Sequence, residues 1–328
     1  MAHNRRRALD EQSAYATLNE PDQSWPSSRD LAYTADGMGT HGLSHSIPLS
    51  LSHHNVHVWI VPTDGPDAAL ASFEQILSAD ERHRANRLVH PQRRMSFVLT
   101  RATLRWILGQ YLQIAPEAIC FLYGCYGKPA LNSSSPIQFN LTYADGLAVI
   151  GVATHCSVGI DVERIRDLAD LERVAERFFT FPESARISSL PLPARRRAFF
   201  HCWTRKEAYL KADGRGLSLA PNSFELEMFS GQTGLSQEPP VTTVDPRLWT
   251  VQELPSTPDY SAALAHSGAP RAWSLFSVST LTSLSQITYR CADRVARHNP
   301  PANPVSSGLR NDASAALPHM VRTELLSQ

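Results

Sequence analysis

Two short stretches of this chain carry ionisable side chains at spacings that can do chemistry. In Gly159-Ile160-Asp161-Val162-Glu163 acidic and apolar residues alternate. Residues two apart on a strand point the same way, so Asp161 and Glu163 share a face with Cα atoms roughly 6.5 Å apart, while Ile160 and Val162 turn to a core. Two carboxylates so placed repel each other. A hard cation such as Mg²⁺, which takes oxygen ligands and keeps substrate phosphate in its shell, removes that repulsion. The plainer alternative is a solvated strand face with Glu163 paired to Arg164 or Arg166.

The second stretch is Trp203-Thr204-Arg205-Lys206-Glu207-Ala208-Tyr209-Leu210-Lys211. At about 100° per residue, Phe199, Phe200, Trp203, Glu207, Leu210 and Lys211 fall in an arc of roughly 120° on one side of a helix. An exposed Glu to Lys pair four residues apart is commonplace and contributes only about 0.3–0.5 kcal/mol. Such pairs lie opposite the apolar stripe, whereas this one lies within it. Ionisable groups there must be paired or metal-bound, which makes Glu207 a candidate third ligand with the Lys211 ammonium beside it. A third, basic stretch contains Arg82, Arg84, Arg87, Arg93, Arg94, Arg101 and Arg105, and Lys128 follows in the turn Gly127-Lys128-Pro129. Phosphate oxygens are natural partners for such a cluster, although each arginine taken singly also fits an exposed helix face.

Positioning these groups falls to a mixture of elements. VHVWIVP (56–62) reads as a first strand, and Ser78 before Asp80 and Glu81 reads as a helix start, with a basic helical region from Arg82 to Tyr111. FNL precedes the apolar run LAVIGVAT (147–154), a buried strand, and VGIDVERI (158–165) follows. ERVAERFF has helical spacing, RRRAFFHCWTRKEAYLKADG is a long helix ending near Gly214, and FELEM, WTVQEL and YSAALA read as strands. The fold class expected is α+β. Residues 1–54 and the Pro- and Ser-rich end lack sustained periodicity and read as poorly ordered, and Met38 is a possible start. The apolar stretch 271–296 fits no element of this scheme but is too apolar for a linker, and an added strand pair or a cover over a sheet edge are its two readings.

Composition narrows the function. With 31 Lys plus Arg against 31 Asp plus Glu, the chain has no bulk attraction for nucleic acid or an anionic membrane. Five scattered cysteines without a C-x-x-C pair fit a reduced interior, and no apolar run reaches the roughly 18 residues that span a bilayer. A cytoplasmic location is expected.

In chain order, GKPAL, FNLTYADG, VGIDVERI, RFF followed by Glu183, and WTRKEAYLKADGRGLSL resemble the signature blocks of 4'-phosphopantetheinyl transferases of the Sfp type, over roughly residues 78 to 220. The resemblance implies a holo-[acyl-carrier-protein] synthase type enzyme. Such enzymes move the 4'-phosphopantetheine arm of coenzyme A onto a serine of an apo acyl or peptidyl carrier protein, with Mg²⁺, releasing adenosine 3',5'-bisphosphate. By similarity Asp161, Glu163 and Glu207 are the metal ligands, Glu207 is also the base, and Lys211 steadies or protonates the leaving phosphate. Lys206 is implied as a pyrophosphate contact and Arg84 as a 3'-phosphate contact, with Gly127, Lys128, Pro129, Asn140, Thr142, Tyr143 and Asp161 also on the coenzyme. Arg82 and Arg101 are further candidates from the basic cluster. The fold implied is two similar α+β halves packed together, 55–157 and 158–270, with extensions at 1–54 and 271–328, in a monomer.

One block departs from the pattern. Where the family reads Asn-x-Ser-His-Ser, this chain has Asn140-Leu141-Thr142-Tyr143-Ala144. Thr142 keeps a hydroxyl, and Tyr143 keeps one donor and a ring that can stack, but cannot become cationic. The change motivates an alternative, a catalytically weakened homologue that binds coenzyme A or the carrier. A magnesium-dependent phosphohydrolase uses the same acids but leaves the basic stretch unexplained.

Overall fold

Side-chain alternation fixes the layers of this protein, whose structure is a computed structural model describing residues 49–65, 67–144, 146–226, 248–256, 258–280 and 287–292. Along β1 (Asn55–Pro62), Val56 and Val58 turn one way and Trp59 and Val61 the other. Strand β5 (Leu147–Thr154) divides likewise, with Leu147, Val149 and Ala153 on one face and Ala148, Ile150 and Val152 on the other. A strand apolar on both faces must be covered twice.

On the outer side, Trp59, Val61 and Ile150 pack with Leu99, Leu104, Ile107 and Leu108 of the 22-residue helix α3 (Pro91–Leu112). On the inner side, Val56, Val58 and Val149 meet Val158, Ile160 and Val162 of β6 (Val158–Arg164) and Leu264 of β8 (Tyr260–Ser267). Across that second sheet Ala263 and Ala265 carry the helix α6 (Leu192–Asp213), also 22 residues, through Ala208, Leu210 and Ala212. Each half is thus a sheet with one long helix on its outer face, and the sheets pack against each other. The first sheet has the order β10-β9-β1-β5-β4, with β4 Ile137–Ala144, β9 Ala272–Thr280 and β10 Thr288–Ala292, and the second β6-β8-β7, with β7 Trp249–Glu253. Strands β4 and β6 are therefore edge strands of their sheets.

Several sequence signals act as read. Ser78 caps α2 (Ala79–Asn86): its hydroxyl accepts from the Glu81 N–H at 3.4 Å while the Glu81 carboxylate accepts from the Ser78 N–H at 3.0 Å. Gly214, at φ 88°, ends α6 in the left-handed conformation. Helix α1 (Asp67–Gln75) precedes α2, and β2 (Phe121–Tyr123) and β3 (Pro129–Leu131) form a hairpin. Helices α4 (Leu171–Phe178) and α5 (Phe181–Ser188) lead into α6.

Three expectations need correction. The basic helical region is two helices, because Pro91 has no N–H to continue α2 and instead starts α3. Phe224 to Leu226 of the expected strand FELEM are not a strand, and its remainder lies outside the described residues. Residues from 271 onward do not begin an extension: β9 (Ala272–Thr280) pairs in parallel with β1, and β10 (Thr288–Ala292) pairs with β9. Burial of Trp273, Phe276 and Val278 drives this, and Phe276 stacks on Trp59 with centroids 4.5 Å apart. The expected disorder of 1–48 and 293–328 falls outside the described residues. Among the described residues no helix is long and apolar enough to cross a membrane.

Candidate active site

The site is built where β6 meets α6, and a missing side chain allows the contact. A Cβ on Gly159 would lie 2.1 Å from the Ala208 carbonyl oxygen and 2.3 Å from the Ala212 nitrogen, so only glycine lets helix and strand approach this closely. Gly159, Asp161 and Glu163 share a strand face, which turns both carboxylates toward the helix. Glu207 and Lys211, one turn apart, flank Ala208 on the face that Gly159 receives.

Asp161 is the centre, 3% exposed. Its Oδ1 accepts from the Lys211 ammonium at 2.6 Å and from the Thr142 hydroxyl at 3.0 Å, and Lys211 also donates to the Thr142 oxygen at 3.1 Å. The three side chains close a triangle across the β4–β6 seam. The Asp161 Oδ2 is buried and has no hydrogen-bond partner among the described residues. Burial raises the Asp161 pKa against the pull of Lys211 and Thr142. Glu163 is pushed up to about 8 by burial and the neighbouring Asp161 charge, with Glu207 adding to the rise and Arg166, 3.6 Å away, opposing it. Burial pulls Lys211 down, but Asp161, Glu207 and Glu163 together outweigh it and raise its pKa. Three carboxylates thus act on one another and on one ammonium.

Among the described residues no three His, Cys, Asp or Glu side chains stand as a formed metal cage. The donor set nevertheless fits a hard divalent ion. The unpartnered Asp161 Oδ2 is a buried oxygen that needs a cation or donor, and the mutual repulsion that raises Glu163 is what such an ion relieves.

The coenzyme candidates separate into groups. Arg84 is exposed on α2, its guanidinium 5.3 Å from the centroid of the Phe97 ring. Tyr143, 45% exposed, has its phenol pKa raised by the protein around its hydroxyl and opposed by Arg101 and Arg84, which places the tyrosine within electrostatic reach of both arginines. Arg101 is not available as a free cation. It is 6% exposed and gives Nε to Glu81 at 2.9 Å and Nη2 to the Tyr123 hydroxyl at 2.9 Å, while Arg105 takes the other Glu81 oxygen at 2.7 Å. Arg82 donates to the Leu77 carbonyl. Glu81, which no sequence signal beyond its capping role singled out, thus neutralises the inner half of the basic cluster.

Three other candidates have partners within the protein. Lys206 is 1% exposed, paired with Glu183 at 2.7 Å and bonded to the carbonyls of Pro221 at 2.8 Å and Phe224 at 2.6 Å. A one-residue step turns it about 100° from Glu207, toward α5 and the loop after α6. Asn140 is buried, and its Oδ1 accepts from the Ile160 N–H at 2.9 Å, satisfying an edge-strand donor. Lys128 donates to the carbonyls of Val158 and Ala212, each at 3.1 Å, and burial lowers its pKa to about 8. Gly127, at φ 80°, forms the turn before it, and Pro129 opens β3 opposite Tyr123. Thr142 stays at the site, on Asp161 and Lys211.

Several known proteins are similar to this chain. The family described as 4'-phosphopantetheinyl transferase superfamily matches residues 157–265. The 4'-phosphopantetheinyl transferase HetI of Nostoc sp. is 36% identical over 231 residues, covering 69% of this chain and 94% of HetI. The 4'-phosphopantetheinyl transferase Sfp of Bacillus subtilis is 28% identical over 156 residues, covering 48% of this chain and 68% of Sfp. The crystal structure of Thermotoga maritima holo-[acyl-carrier-protein] synthase, 24% identical, overlaps 35% of this chain and 65% of that one at a TM-score of 0.26, which carries no argument.

Proposed function

The chain belongs to the 4'-phosphopantetheinyl transferase superfamily, and from that membership we propose how its own residues run the reaction. It transfers the 4'-phosphopantetheine arm of coenzyme A to a serine of an apo carrier protein. The serine oxygen forms a bond to the phosphorus bearing pantetheine, the bond from that phosphorus to the bridging oxygen breaks, and adenosine 3',5'-bisphosphate departs. Positioning and charge neutralisation carry this displacement more than covalent help from the protein.

Asp161, Glu163 and Glu207 would hold Mg²⁺, which when bound offsets the pyrophosphate charge. The Glu207 carboxylate takes the serine proton as the new bond forms. Lys211 holds Asp161 in place and sets its ammonium beside the departing oxygen, where negative charge grows. Arg84 and Tyr143 receive the nucleotide end at the mouth. Five cysteines without a disulfide fit a reducing, cytoplasmic interior, and a monomer is what the family resemblance implies.

A single observation carries this reading: a nearly inaccessible carboxylate with one oxygen fixed by Lys211 and Thr142 and the other unpartnered. The test is to incubate the chain with coenzyme A, Mg²⁺ and an apo carrier protein and weigh the carrier. A gain of one phosphopantetheine arm, lost in Asp161→Ala, is expected. Coenzyme A consumed without carrier, or a carrier of unchanged mass, refutes the reading. The Thr142-Tyr143-Ala144 replacement does not favour a binding-only homologue, because the hydroxyl this network uses is retained.

A further inference from the structure

Strand β6 and helix α6 run in opposite directions along their contact. Gly159 lies against Ala208 and Ala212, whereas Arg166, just past the strand, lies against Phe200, nearer the helix start. The acids of the site therefore sit between two cations. Lys211 meets Asp161 at 2.6 Å at one end, and Arg166 faces Glu163 at 3.6 Å at the other.

The two ends are built differently. The Lys211 contact is a short hydrogen bond, whereas the Arg166 contact is too long for one. Other groups hold the guanidinium: its Nη1 reaches the Arg164 carbonyl at 3.5 Å, and its carbon lies 5.6 Å from the centroid of the Phe200 ring. Its Nη2 is buried without a hydrogen-bond partner among the described residues, so Glu163 does not take the two-pronged grip that carboxylates commonly have on arginine. Both side chains are largely enclosed, 15% exposed for Arg166 and 13% for Glu163, and salt screens such a charge weakly. A guanidinium also stays protonated at any working pH. Arg166 is thus a fixed positive charge beside a candidate ligand, anchored to groups that a cation on Glu163 would leave in place.

Such a charge acts oppositely on two ligands. It opposes a divalent cation that comes alone to the acids, and it favours an anion; for a cation and a diphosphate together the two effects offset each other. We propose that Arg166 is a resident counter-charge to Glu163 that keeps the acid site weak for a divalent cation alone and so couples binding of the cation to binding of the diphosphate. This rests on the reading of Asp161, Glu163 and Glu207 as metal ligands.

The test titrates the full chain with Mn²⁺ alone, following the free ion by electron paramagnetic resonance, because Mn²⁺ takes the same oxygen ligands as Mg²⁺. Arg166→Gln removes the charge and keeps a donor for the Arg164 carbonyl, Arg166→Lys keeps the charge and loses the fork, and Asp161→Ala measures binding outside the acid site. A unit charge this near a divalent ion shifts its affinity by about tenfold even in watery surroundings. Arg166→Gln should therefore bind Mn²⁺ about five- to tenfold more tightly than the unmodified chain, and Arg166→Lys within about twofold of it. Saturating coenzyme A should tighten Mn²⁺ binding by a factor at least about threefold smaller in Arg166→Gln than in the unmodified chain, since coupling is reciprocal. A folded Arg166→Gln chain with unchanged or weaker Mn²⁺ affinity overturns the proposal and leaves the ligand reading standing. Should Arg166→Gln fail to fold, Arg166→Lys decides: affinity within about twofold upholds the role of charge, and a larger change overturns it. Binding no greater than that of Asp161→Ala in every chain refutes the ligand reading and the proposal with it. If the unmodified chain transfers no arm, the transferase reading fails, while the Mn²⁺ comparison still decides the role of Arg166.

Discussion

Replacing Gly159 by alanine puts the geometric argument at greatest risk. The new methyl would lie 2.1 Å from the Ala208 oxygen and 2.3 Å from the Ala212 nitrogen, both main-chain atoms that no rotamer change can move. Ordinary van der Waals contact at about 3.4 Å or more requires helix and strand to part by roughly 1.3 Å. Over-packing of this kind costs about 1–3 kcal/mol in stability, which a domain of ordinary stability survives. The same displacement pulls Glu207 and Lys211 away from Asp161 and Glu163, and a shift near 1 Å costs about a hundredfold in rate. In the carrier mass-shift assay, Gly159→Ala should therefore remain folded by circular dichroism and lose about two orders of magnitude in kcat. The KM for coenzyme A should change little, because Arg84 and Tyr143 lie on other elements. Gly151→Ala is the control: its Cβ would sit 3.4 Å from Val158 Cγ2 and 3.7 Å from Ile160 Cβ, ordinary van der Waals contacts, and activity should stay within a few-fold. A folded Gly159→Ala chain with wild-type kcat refutes the close-approach reasoning.

Other perturbations separate site from scaffold. Thr142→Val removes the hydroxyl shared by Asp161 and Lys211 and should cost about 1–3 kcal/mol, five- to a hundredfold in kcat, with Thr142→Ser largely restoring it. Lys206→Met leaves the Glu183 carboxylate buried and unpaired, so melting should register a loss of about 3–5 kcal/mol while folded molecules keep their KM for coenzyme A. For Glu163, the folded pKa of about 8 lies above its ordinary 4.5, so between these values the folded chain binds the extra proton. Its contribution to metal-free stability therefore falls as pH rises from 4.5 to 8, by a few kcal/mol at most. Melting temperatures across this range should show that fall in the metal-free chain, a smaller one in Glu163→Gln, and partial recovery with added Mg²⁺; parallel profiles for the two chains count against it.

The chemistry was more legible than its surroundings. Period two placed Asp161 and Glu163 on one face, and caps at Ser78 and Gly214 marked helix ends, because these signals are local. The arc argument located Glu207 and Lys211, whereas Lys206 entered only through the family resemblance and lies off that arc. Helix α6 is enclosed on nearly every side from Ala198 to Leu210, so a charge off the apolar stripe met another buried charge, not solvent. Arg101 and Arg105 looked like phosphate ligands because nothing in their own segment reveals Glu81, some twenty residues upstream, as their shared counter-charge. Strands β9 and β10 were legible only as one reading of an apolar stretch, without bounds or partner, for a related reason: serine and threonine dilute their apolar alternation, and their partner β1 lies far away in the chain.

That last pairing bears on how the molecule assembles. Asn55 bonds the Ser274 hydroxyl across 219 positions, and Asn55 to Ile60 run beside Ala272 to Ser277 in register. The central strand of the amino-terminal sheet therefore stays open along one edge until residues 272–277 have left the ribosome. Closing so long a loop is slow, and the exposed strand invites mispairing meanwhile. Ending translation at 270 would spare every acid, lysine and arginine discussed above and still deliver a protein unable to complete its scaffold.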